Sequence, residues 1–313
     1  MKVLIFTHKN DIDGMGNAIL ANLAFNEVDY ILCGTFNLTE LVNRYYEDNT
    51  IYDYDRIYVT DLCLEEPILS KVASDTKLKG KIRVFDHHKT FLDPKYTSHD
   101  FIKVQLEDEH GLCCGTSLFY QHLISEGLLD NNQALQEFVE LTRQHDTWEW
   151  RNIYNNEKAR ELSILFDSLG TKGYIELMTK KLSNPMVKTF EYDELETMLI
   201  MNRKALIEEK CKYYADRIFY REILGLKAGI IFINYEFRNE IAEYFRKNNF
   251  DMDFAMMVAI DEGTVSYRSV KDGVFVRPVA EHFGGKGHEK AATNPITMDV
   301  QKEIVKVLTK SNE

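Results

Sequence analysis

The chain has 313 residues, a length typical of two domains. Its composition, with 44% hydrophobic and 28% charged residues, is that of a soluble globular protein and excludes a collagenous or low-complexity chain. The 38 basic and 50 acidic residues leave a net charge of −12, which excludes a protein that grips long duplex nucleic acid through many Lys and Arg contacts to phosphate.

The first hundred residues alternate between two hydrophobic periods. Short apolar runs predict buried strands at 3–6, 30–33, 57–59, 82–85 and 101–106. Apolar residues at helical spacing predict helices between them, at 14–25, 38–46 and 65–73, the last with Pro67 in its first turn. This alternation with short connections predicts an α/β fold built on a doubly wound parallel sheet.

The rest of the chain changes character twice. Residues 113–183 are helical in pattern, and the run 191–219, without Gly or Pro, predicts one extended helix that either joins two lobes or covers the first. Beyond Gly225, strands at 229–233, 254–260 and 264–270 and helices at 240–247 and 278–283 predict a second, smaller α/β module. We therefore predict domains at 1–190 and 223–313, with a linker helix at 191–222.

Carboxylates and imidazoles gather at the ends of the predicted strands, where open parallel sheets bind ligands. Those that follow the first, third and fourth strands, or end the helix predicted at 135–148, are His8, Asp11, Asp13, Asp61, Asp86, His87, His88, His145 and Asp146. Like charges at one edge destabilise a fold unless divalent cations neutralise them. Oxygen-rich ligands with one or two imidazoles favour Mn²⁺ or Mg²⁺ over zinc. The set is large enough for two ions that share a carboxylate, an arrangement suited to phosphoryl displacement.

These motifs resemble a known family. Asp86-His87-His88 resembles the motif that names the DHH phosphoesterases, and the other acidic motifs follow in that family's order. Residues 283–292 and 265–269 resemble the glycine-rich signature and the serine–arginine strand of the associated DHHA1 domain. Residues 143–150 are most similar to the nanoRNase branch, which degrades very short oligoribonucleotides. The resemblance covers nearly the whole chain.

The resemblance implies a role for each of these residues. His8, Asp11 and Asp61 would hold a first metal ion. The second ion would be held, with Asp61 as the bridge, by Asp13, Asp61, His87 and Asp146. Asp86 would orient an imidazole, and His88 would stabilise charge on the scissile phosphate. The terminal phosphate or base of the substrate would contact Arg268, Gly284, Gly285, Lys286, Gly287 and His288. Lys286 replaces a usual glycine, and either adds a phosphate contact or reflects a loosened loop.

The resulting hypothesis is a phosphodiesterase that depends on two Mn²⁺ ions, with Mg²⁺ as the alternative. It would hydrolyse short oligonucleotides or dinucleotides to mononucleotides by attack of a hydroxide formed at the two metals, in a cleft between the lobes. One alternative keeps the metals but takes nucleotide 3′,5′-bisphosphate (pAp), cyclic or linear signalling dinucleotides, or pyrophosphate. A nucleotide sensor without catalysis is disfavoured because every ligand is present, and a long-DNA exonuclease is disfavoured by the net charge.

A few residues allow two interpretations. Trp148 and Trp150 either stack on nucleobases or pack, and aromatic residues at this spacing after a helix more often pack. Arg143 either pairs with Asp146 one turn away or contacts a phosphate. No apolar run is long enough to span a bilayer, the amino terminus lacks the apolar core of a signal peptide, and scattered cysteines fit a reducing compartment, so we expect a cytoplasmic protein that binds no membrane.

Overall fold

A computed structural model describes residues 1–9, 11–34 and 37–309. The chain divides into two compact units, Met1–Met201 and Asn202–Glu313. The boundary between the units falls inside a helix, Glu194–Ala215, that lies within the predicted linker. The domain bounds proposed from the sequence stay a prediction.

The first unit is built from parallel strands and helices. Its strands are β1 (Lys2–His8), β2 (Glu27–Cys33), β3 (Arg56–Thr60), β4 (Ile82–Asp86), β5 (Ile102–Val104), β6 (Glu107–Asp108) and β7 (Gly111–Leu112). Its helices are α1 (Ile12–Ala24), α2 (Leu38–Glu47), α3 (Ile68–Ser74), α4 (Pro94–Thr97), α5 (Gly115–Ser125), α6 (Gln133–Asp146), α7 (Glu149–Asn152) and α8 (Glu157–Leu182), followed by α9 (Glu194–Ala215), which runs into the second unit. The helix predicted at 65–73 begins only at Ile68, so Pro67 precedes it, and α6 ends at Asp146 rather than at Trp148.

The main sheet of the first unit has the strand order β2-β1-β3-β4-β5, and every pair in it is parallel. Its central strand, β1, is buried on both faces. Val3 and Ile5 pack with α1, α5, α6 and α8 on one face, while Leu4 and Phe6 pack with α2 and α3 on the other. The α/β fold with a doubly wound parallel sheet is therefore confirmed. Because all five strands run the same way, their carboxyl ends meet at one edge.

The second unit is smaller and its sheet is mixed. Its strands are β8 (Phe219–Ile223), β9 (Leu226–Phe232), β10 (Phe254–Ala259), β11 (Thr264–Ser269), β12 (Lys286–Gly287) and β13 (Ala291–Pro295), and its further helices are α10 (Arg238–Lys247), α11 (Arg277–His282) and α12 (Met298–Thr309). The strand order is β12-β13-β11-β10-β9-β8, with β9 and β10 parallel and the other pairs antiparallel.

The helix predicted at 191–219 ends earlier than expected. It stops at Ala215, and Phe219 begins β8, which pairs with β9 from Phe219↔Ile230 to Ile223↔Leu226. In β8 the exposed residues, such as Tyr220, alternate with more buried ones, such as Ile223. Five residues of that alternation are too few to stand out beside a long helical run.

Two further properties of the described residues matter later. No helix among them combines the length and the apolar character that crossing a membrane requires. All five cysteines are buried: Cys33, Cys63, Cys113, Cys114 and Cys211.

Candidate metal centre

Residues that are far apart in the sequence form one cluster at the carboxyl edge of the parallel sheet. Three overlapping groups have ligand atoms within 4.8 Å of one another: His8 with Asp11 and Asp61, Asp13 with His87 and Asp146, and Asp61 with His87 and His88. Asp61 belongs to a group on each side. The structure thus brings together all six residues that the sequence suggested as metal ligands.

The turn from β1 to α1 sets the first side of the cluster. Asp11 caps α1, since its Oδ1 accepts the Gly14 N–H at 2.9 Å, and its Oδ2 lies 2.6 Å from His8 Nδ1. Glycine is required at position 14, where an added Cβ would lie 1.8 Å from the His8 carbonyl oxygen. The turn can therefore bring His8 and Asp11 side by side.

Asp13 is fully buried and is held by the amino terminus of another helix. Its two carboxylate oxygens accept the backbone N–H groups of Gly115 and Thr116, each at 2.7 Å. These are the first residues of α5, where free N–H groups and the helix dipole favour an anion. Position 115 must be glycine, because a Cβ there would lie 2.7 Å from that of Asp61 and 2.9 Å from Asp13 Oδ2.

Asp61 lies between the two imidazoles. One of its oxygens is 3.6 Å from His8 Nδ1, and the other is 3.2 Å from His87 Nε2. Its backbone adopts φ of +56°, in the left-handed region that side chains other than Asn and Asp rarely enter. This is the geometry expected of a carboxylate that bridges two cations.

Asp146 completes the second side from the end of α6. Its Oδ2 lies 3.5 Å from His87 Nε2, and Asp13 Oδ2 is 3.9 Å from the same nitrogen. Asp146 Oδ2 is buried and has no hydrogen-bond partner among the described residues. A buried carboxylate oxygen without a partner is costly, and a cation would satisfy it.

The electrostatics of the cluster also favour a cation. Burial, followed by the charge of Asp13 and other neighbouring carboxylates, raises the pKa of Asp61 well above its usual value, and burial and the same neighbours raise the pKa of Asp146. Burial lowers the pKa of His87, which keeps its imidazole neutral and able to coordinate a metal. A buried cluster of four carboxylates and two imidazoles suits hard divalent cations such as Mn²⁺ or Mg²⁺, whose charge offsets the repulsion among the carboxylates.

The remaining two motif residues, Asp86 and His88, form a pair. Asp86 is fully buried at the end of β4, and its Oδ1 accepts the His87 backbone N–H at 2.9 Å and lies 2.7 Å from His88 Nδ1. This hydrogen bond raises the pKa of His88. Asp86 therefore orients His88 rather than the ligand candidate His87.

Arg143 does not pair with Asp146, one of the two interpretations that the sequence allowed. Its guanidinium is buried and donates to Glu149, to Glu140 and to the carbonyl of Leu112 in β7. Glu149 also accepts the Leu112 N–H. Sequence reasoning missed this role of Glu149. The pair closes a loop around 146–148, so it fixes the backbone that carries Asp146.

In the second unit, Arg268 lies on β11 and is held by neutral groups. Its Nε and Nη2 donate to Asn239 Oδ1 at 3.3 and 3.1 Å, and its Nη1 donates to the Tyr267 carbonyl. Burial, and then the charge of Arg238, lowers the pKa of Arg268 to about 10, so the Arg268 guanidinium stays charged at neutral pH. The Arg238 guanidinium lies 3.9 Å from the centre of the Tyr235 ring. The sequence did not predict a role for Arg238, whose only distinguishing feature there is its position just before a predicted helix. Two neighbouring guanidiniums can bind an anion.

The glycine-rich loop is shaped by its own hydrogen bonds. The N–H groups of Gly284 and Gly285 donate to the carbonyls of Glu281 and Ala280 at the end of α11. Both N–H groups are therefore engaged within the chain. Lys286 and Gly287 form β12 against β13, and the His288 side chain is exposed. The substrate-binding role of these residues stays a prediction, and for the two glycines it would rest on loop shape rather than on N–H donors.

No family model matches the chain. Among curated proteins it is similar to the oligoribonuclease NrnB of Bacillus subtilis, with 29% identity over 303 residues, which are 96% of this chain and 74% of that protein. The resemblance that the motifs indicated is thus confirmed along nearly the whole sequence.

Two solved structures illustrate the fold that this chain shares with known proteins. A pGpG-specific phosphodiesterase, PggH, from Vibrio cholerae matches with a TM-score of 0.54 and 13% identity over 98% of this chain and 97% of that one. RecJ in complex with Mn²⁺ from Thermus thermophilus matches with a TM-score of 0.58 and 12% identity, over 97% of this chain and 51% of that one. At these identities the likeness concerns the fold.

Proposed function

We propose that this chain, which carries the motifs and the fold of the DHH phosphoesterases, is a hydrolase that cleaves phosphodiester bonds in dinucleotides and other short oligonucleotides to release mononucleotides. The observation that carries the proposal is the cluster in which Asp61 turns one oxygen toward each of two imidazoles. The similarity to an oligoribonuclease over 96% of the chain supports the substrate class.

The acidic cluster would hold two divalent cations, Mn²⁺ or Mg²⁺. His8, Asp11 and Asp61 would hold one. Asp13, Asp61, His87 and Asp146 would hold the other. When bound, such ions neutralise the charge of a phosphate group and activate water for in-line displacement.

His88 would act on the scissile phosphate. Its Nδ1 is occupied by Asp86, so the other ring nitrogen, Nε2, is left to donate a hydrogen bond to a phosphate oxygen. About half of the His88 side chain is exposed, which allows a ligand to reach it. A hydrogen-bond donor directed at charge that develops in the transition state stabilises the transition state more than the ground state, and so lowers the barrier.

A second anion site would explain a preference for short substrates. Arg268, with Arg238 beside it, offers guanidinium donors held by a neutral amide. Such a pair suits a terminal phosphate of the substrate. A chain with a net charge of −12 repels long polyanions, while one or two local anion sites still accept a short one.

The test is a substrate panel with the purified full-length chain, in Mn²⁺, in Mg²⁺ and in a chelator. The panel contains a dinucleotide, RNA and DNA of about five and about twenty nucleotides, pAp, cyclic dinucleotides and pyrophosphate. We expect mononucleotide release to be fastest from the dinucleotide and to stop in the chelator. The Asp61→Ala variant, purified in parallel, controls for contaminating nuclease.

Two outcomes would contradict the proposal. Absence of mononucleotide release from the dinucleotide in both metals would refute the activity. Faster turnover of pAp or of a cyclic dinucleotide would be consistent with the proposed metal chemistry but would show that the proposed substrate is wrong. The metal ions would contact only the phosphate group, so they do not distinguish these substrates.

A further inference from the structure

Three aromatic rings form a row beside the acidic cluster. The rings of His145 and Trp150 are nearly parallel, with 11° between their planes and 6.5 Å between their centroids. Trp148 continues the row, at 6.5 Å and 31° from Trp150. Trp150 is only 8% exposed, whereas Trp148 is 53% exposed. The row therefore runs from a partly buried imidazole through a buried indole to an indole that faces solvent.

The inner end of the row is at the proposed metal site. His145 directly precedes Asp146, and the charge of Asp11 acts on its ring. Asp146 in turn lies 3.5 Å from His87 Nε2. Trp148 follows Asp146 by two residues, so an exposed indole lies close along the chain to the site where a phosphate would bind.

The backbone holds Trp148 in an unfavourable conformation. Its φ of +62° and ψ of 8° lie in the left-handed region, which a bulky residue rarely adopts because of steric strain. Hydrogen bonds around it offset that strain, because its N–H donates to the His145 carbonyl and its own carbonyl accepts from Arg151 and Asn152. The buried Arg143–Glu149 pair closes the same segment.

This arrangement is not that of a packing residue. A tryptophan that served the core would be buried, as Trp150 is, and an exposed turn in the left-handed region would favour Gly or Asn. Here a strained backbone lies beside a candidate site, and the strained residue exposes its aromatic face to solvent. A ligand that binds to this face explains both observations better than packing does.

We propose that Trp148 is a substrate-binding residue, on whose indole a nucleobase of the substrate stacks. The proposal rests on the proposed function and adds to it a contact with the base, whereas the metals and His88 contact only phosphate. Stacking accepts any base, since each has a π face, so it suits an enzyme that clears short fragments of every sequence. It also adds affinity without positive charge.

The kinetic test compares two substrates and three variants. The substrates are a dinucleotide and the same phosphodiester with tetrahydrofuran in place of both bases. Trp148→Ala should raise KM for the dinucleotide about 5- to 150-fold, the loss of one stacked base, with a smaller change in kcat. Trp148→Phe should retain most of the affinity. The wild type and Trp148→Ala should handle the abasic substrate alike. Tyr154→Ala, which removes another exposed aromatic side chain from the same segment, should leave KM unchanged.

Two kinetic results would overturn the proposal. One is an equal loss on both substrates, which would mean that Trp148 acts through the fold or the metals. The other is an unchanged KM for the dinucleotide in Trp148→Ala. The rise in melting temperature on adding Mn²⁺ should be the same in this variant as in the wild type, which verifies that the metal site is intact.

A binding measurement separates this proposal from the proposed function. The chain has two tryptophans, so in a Trp150→Phe variant the emission comes from Trp148 alone. A nucleoside monophosphate should quench that emission, and ribose 5-phosphate at the same concentration should not. If the wild type fails to hydrolyse dinucleotides yet the quenching occurs, the proposed function falls and base stacking stands. If hydrolysis occurs without quenching by the nucleotide, base stacking falls alone.

Discussion

Asp61 satisfies three structural requirements at once. It is almost fully buried, its backbone is left-handed, and its carboxylate faces an imidazole on either side. Asparagine tolerates the same backbone and has nearly the same shape, so Asp61→Asn changes the charge and little else.

We expect Asp61→Asn to lower kcat on a dinucleotide by at least about 10²-fold, because both proposed cations lose a ligand. The variant should also lose most of the rise in melting temperature that Mn²⁺ gives the wild type. Kinetics and thermal unfolding measure both. Asp130→Asn, which neutralises an exposed aspartate of the same unit, should match the wild type. Near-normal turnover in Asp61→Asn would contradict the bridging role.

His87 and His88 are adjacent but have different surroundings. His87 Nε2 faces three carboxylates, whereas His88 Nδ1 is hydrogen-bonded to Asp86. We therefore expect His87→Ala to weaken Mn²⁺ binding, measured by calorimetry, and His88→Ala to lower kcat with Mn²⁺ affinity largely kept. Equal loss of metal in both variants would mean that the two imidazoles share one role.

At the residue scale, the sequence predicted what is local to a strand end. His8, Asp61 and His87 directly follow or lie near strands that parallel pairing brings to one edge, so their proximity followed from the fold class. The Arg143–Glu149 contact did not follow, since the β6–β7 hairpin that completes it lies some thirty residues earlier in the chain. Arg238 was missed because its interest depends on its proximity to Arg268, and the fold brings the two together from positions thirty residues apart in the sequence.

The segment from α6 to α7 depends on one buried ion pair. The side chains of Arg143 and Glu149 are 3% and 7% exposed, and each also contacts the backbone of Leu112. Buried charges are costly once a partner is removed. The pair therefore holds together the β6–β7 hairpin, the end of α6 with Asp146, and the start of α7.

We expect Glu149→Gln to lower the free energy of unfolding by about 3–5 kcal/mol, because it leaves part of the Arg143 charge uncompensated inside the protein. Urea unfolding measures this loss. Glu40→Gln removes an ion pair to Arg44 in which both side chains are 64% exposed, so it should cost less than about 1 kcal/mol. Similar values for the two variants would refute the role of the buried pair.

Among the secondary-structure elements, continuous apolar runs predicted the parallel strands well, because a strand that is buried on both faces consists almost entirely of apolar residues. β8 and β13 were missed for the opposite reason. Residues in these strands alternate between more and less exposed positions over five residues, and the exposed ones resemble those of a polar helix or loop. The end of α9 was placed too late for this reason.

The acidic cluster links the stability of the first unit to pH. Burial and neighbouring carboxylates raise the pKa of both Asp61 and Asp146. An acid whose pKa is raised on folding binds its proton more tightly in the folded state. Its contribution to stability is fully present below the unfolded pKa of about 3.9 and is lost as the pH rises through the folded pKa.

We therefore expect cation binding to stabilise the protein more at about pH 8 than at about pH 5.5, because protons occupy the site at the lower pH and ions must displace them. Melting temperatures with Mn²⁺ and with a chelator, at each pH, measure the difference. The double variant Asp61→Asn, Asp146→Asn should show a much smaller difference. An effect of Mn²⁺ that is larger at the lower pH would contradict this assignment.

Phosphate recognition is expected to be divided between the two units. Arg268→Ala should raise KM for a dinucleotide about 10- to 150-fold, the equivalent of 1.5–3 kcal/mol for one charged hydrogen-bonded contact, with little change for bis-(p-nitrophenyl) phosphate. The second substrate has only the scissile phosphate. Arg221→Ala, another arginine on a strand of the second unit, serves as the control. Equal losses on both substrates would place Arg268 at the reaction itself.

The burial of every cysteine makes the protein easy to label at a chosen place. Burial raises the pKa of the thiols of Cys33, Cys63, Cys113 and Cys114, so they react slowly with maleimides. A cysteine introduced at an exposed position, such as Lys172 in the first unit or Glu262 in the second, would react far faster than any native thiol. A donor and an acceptor dye could then report the distance between the two units during turnover in the otherwise unaltered sequence.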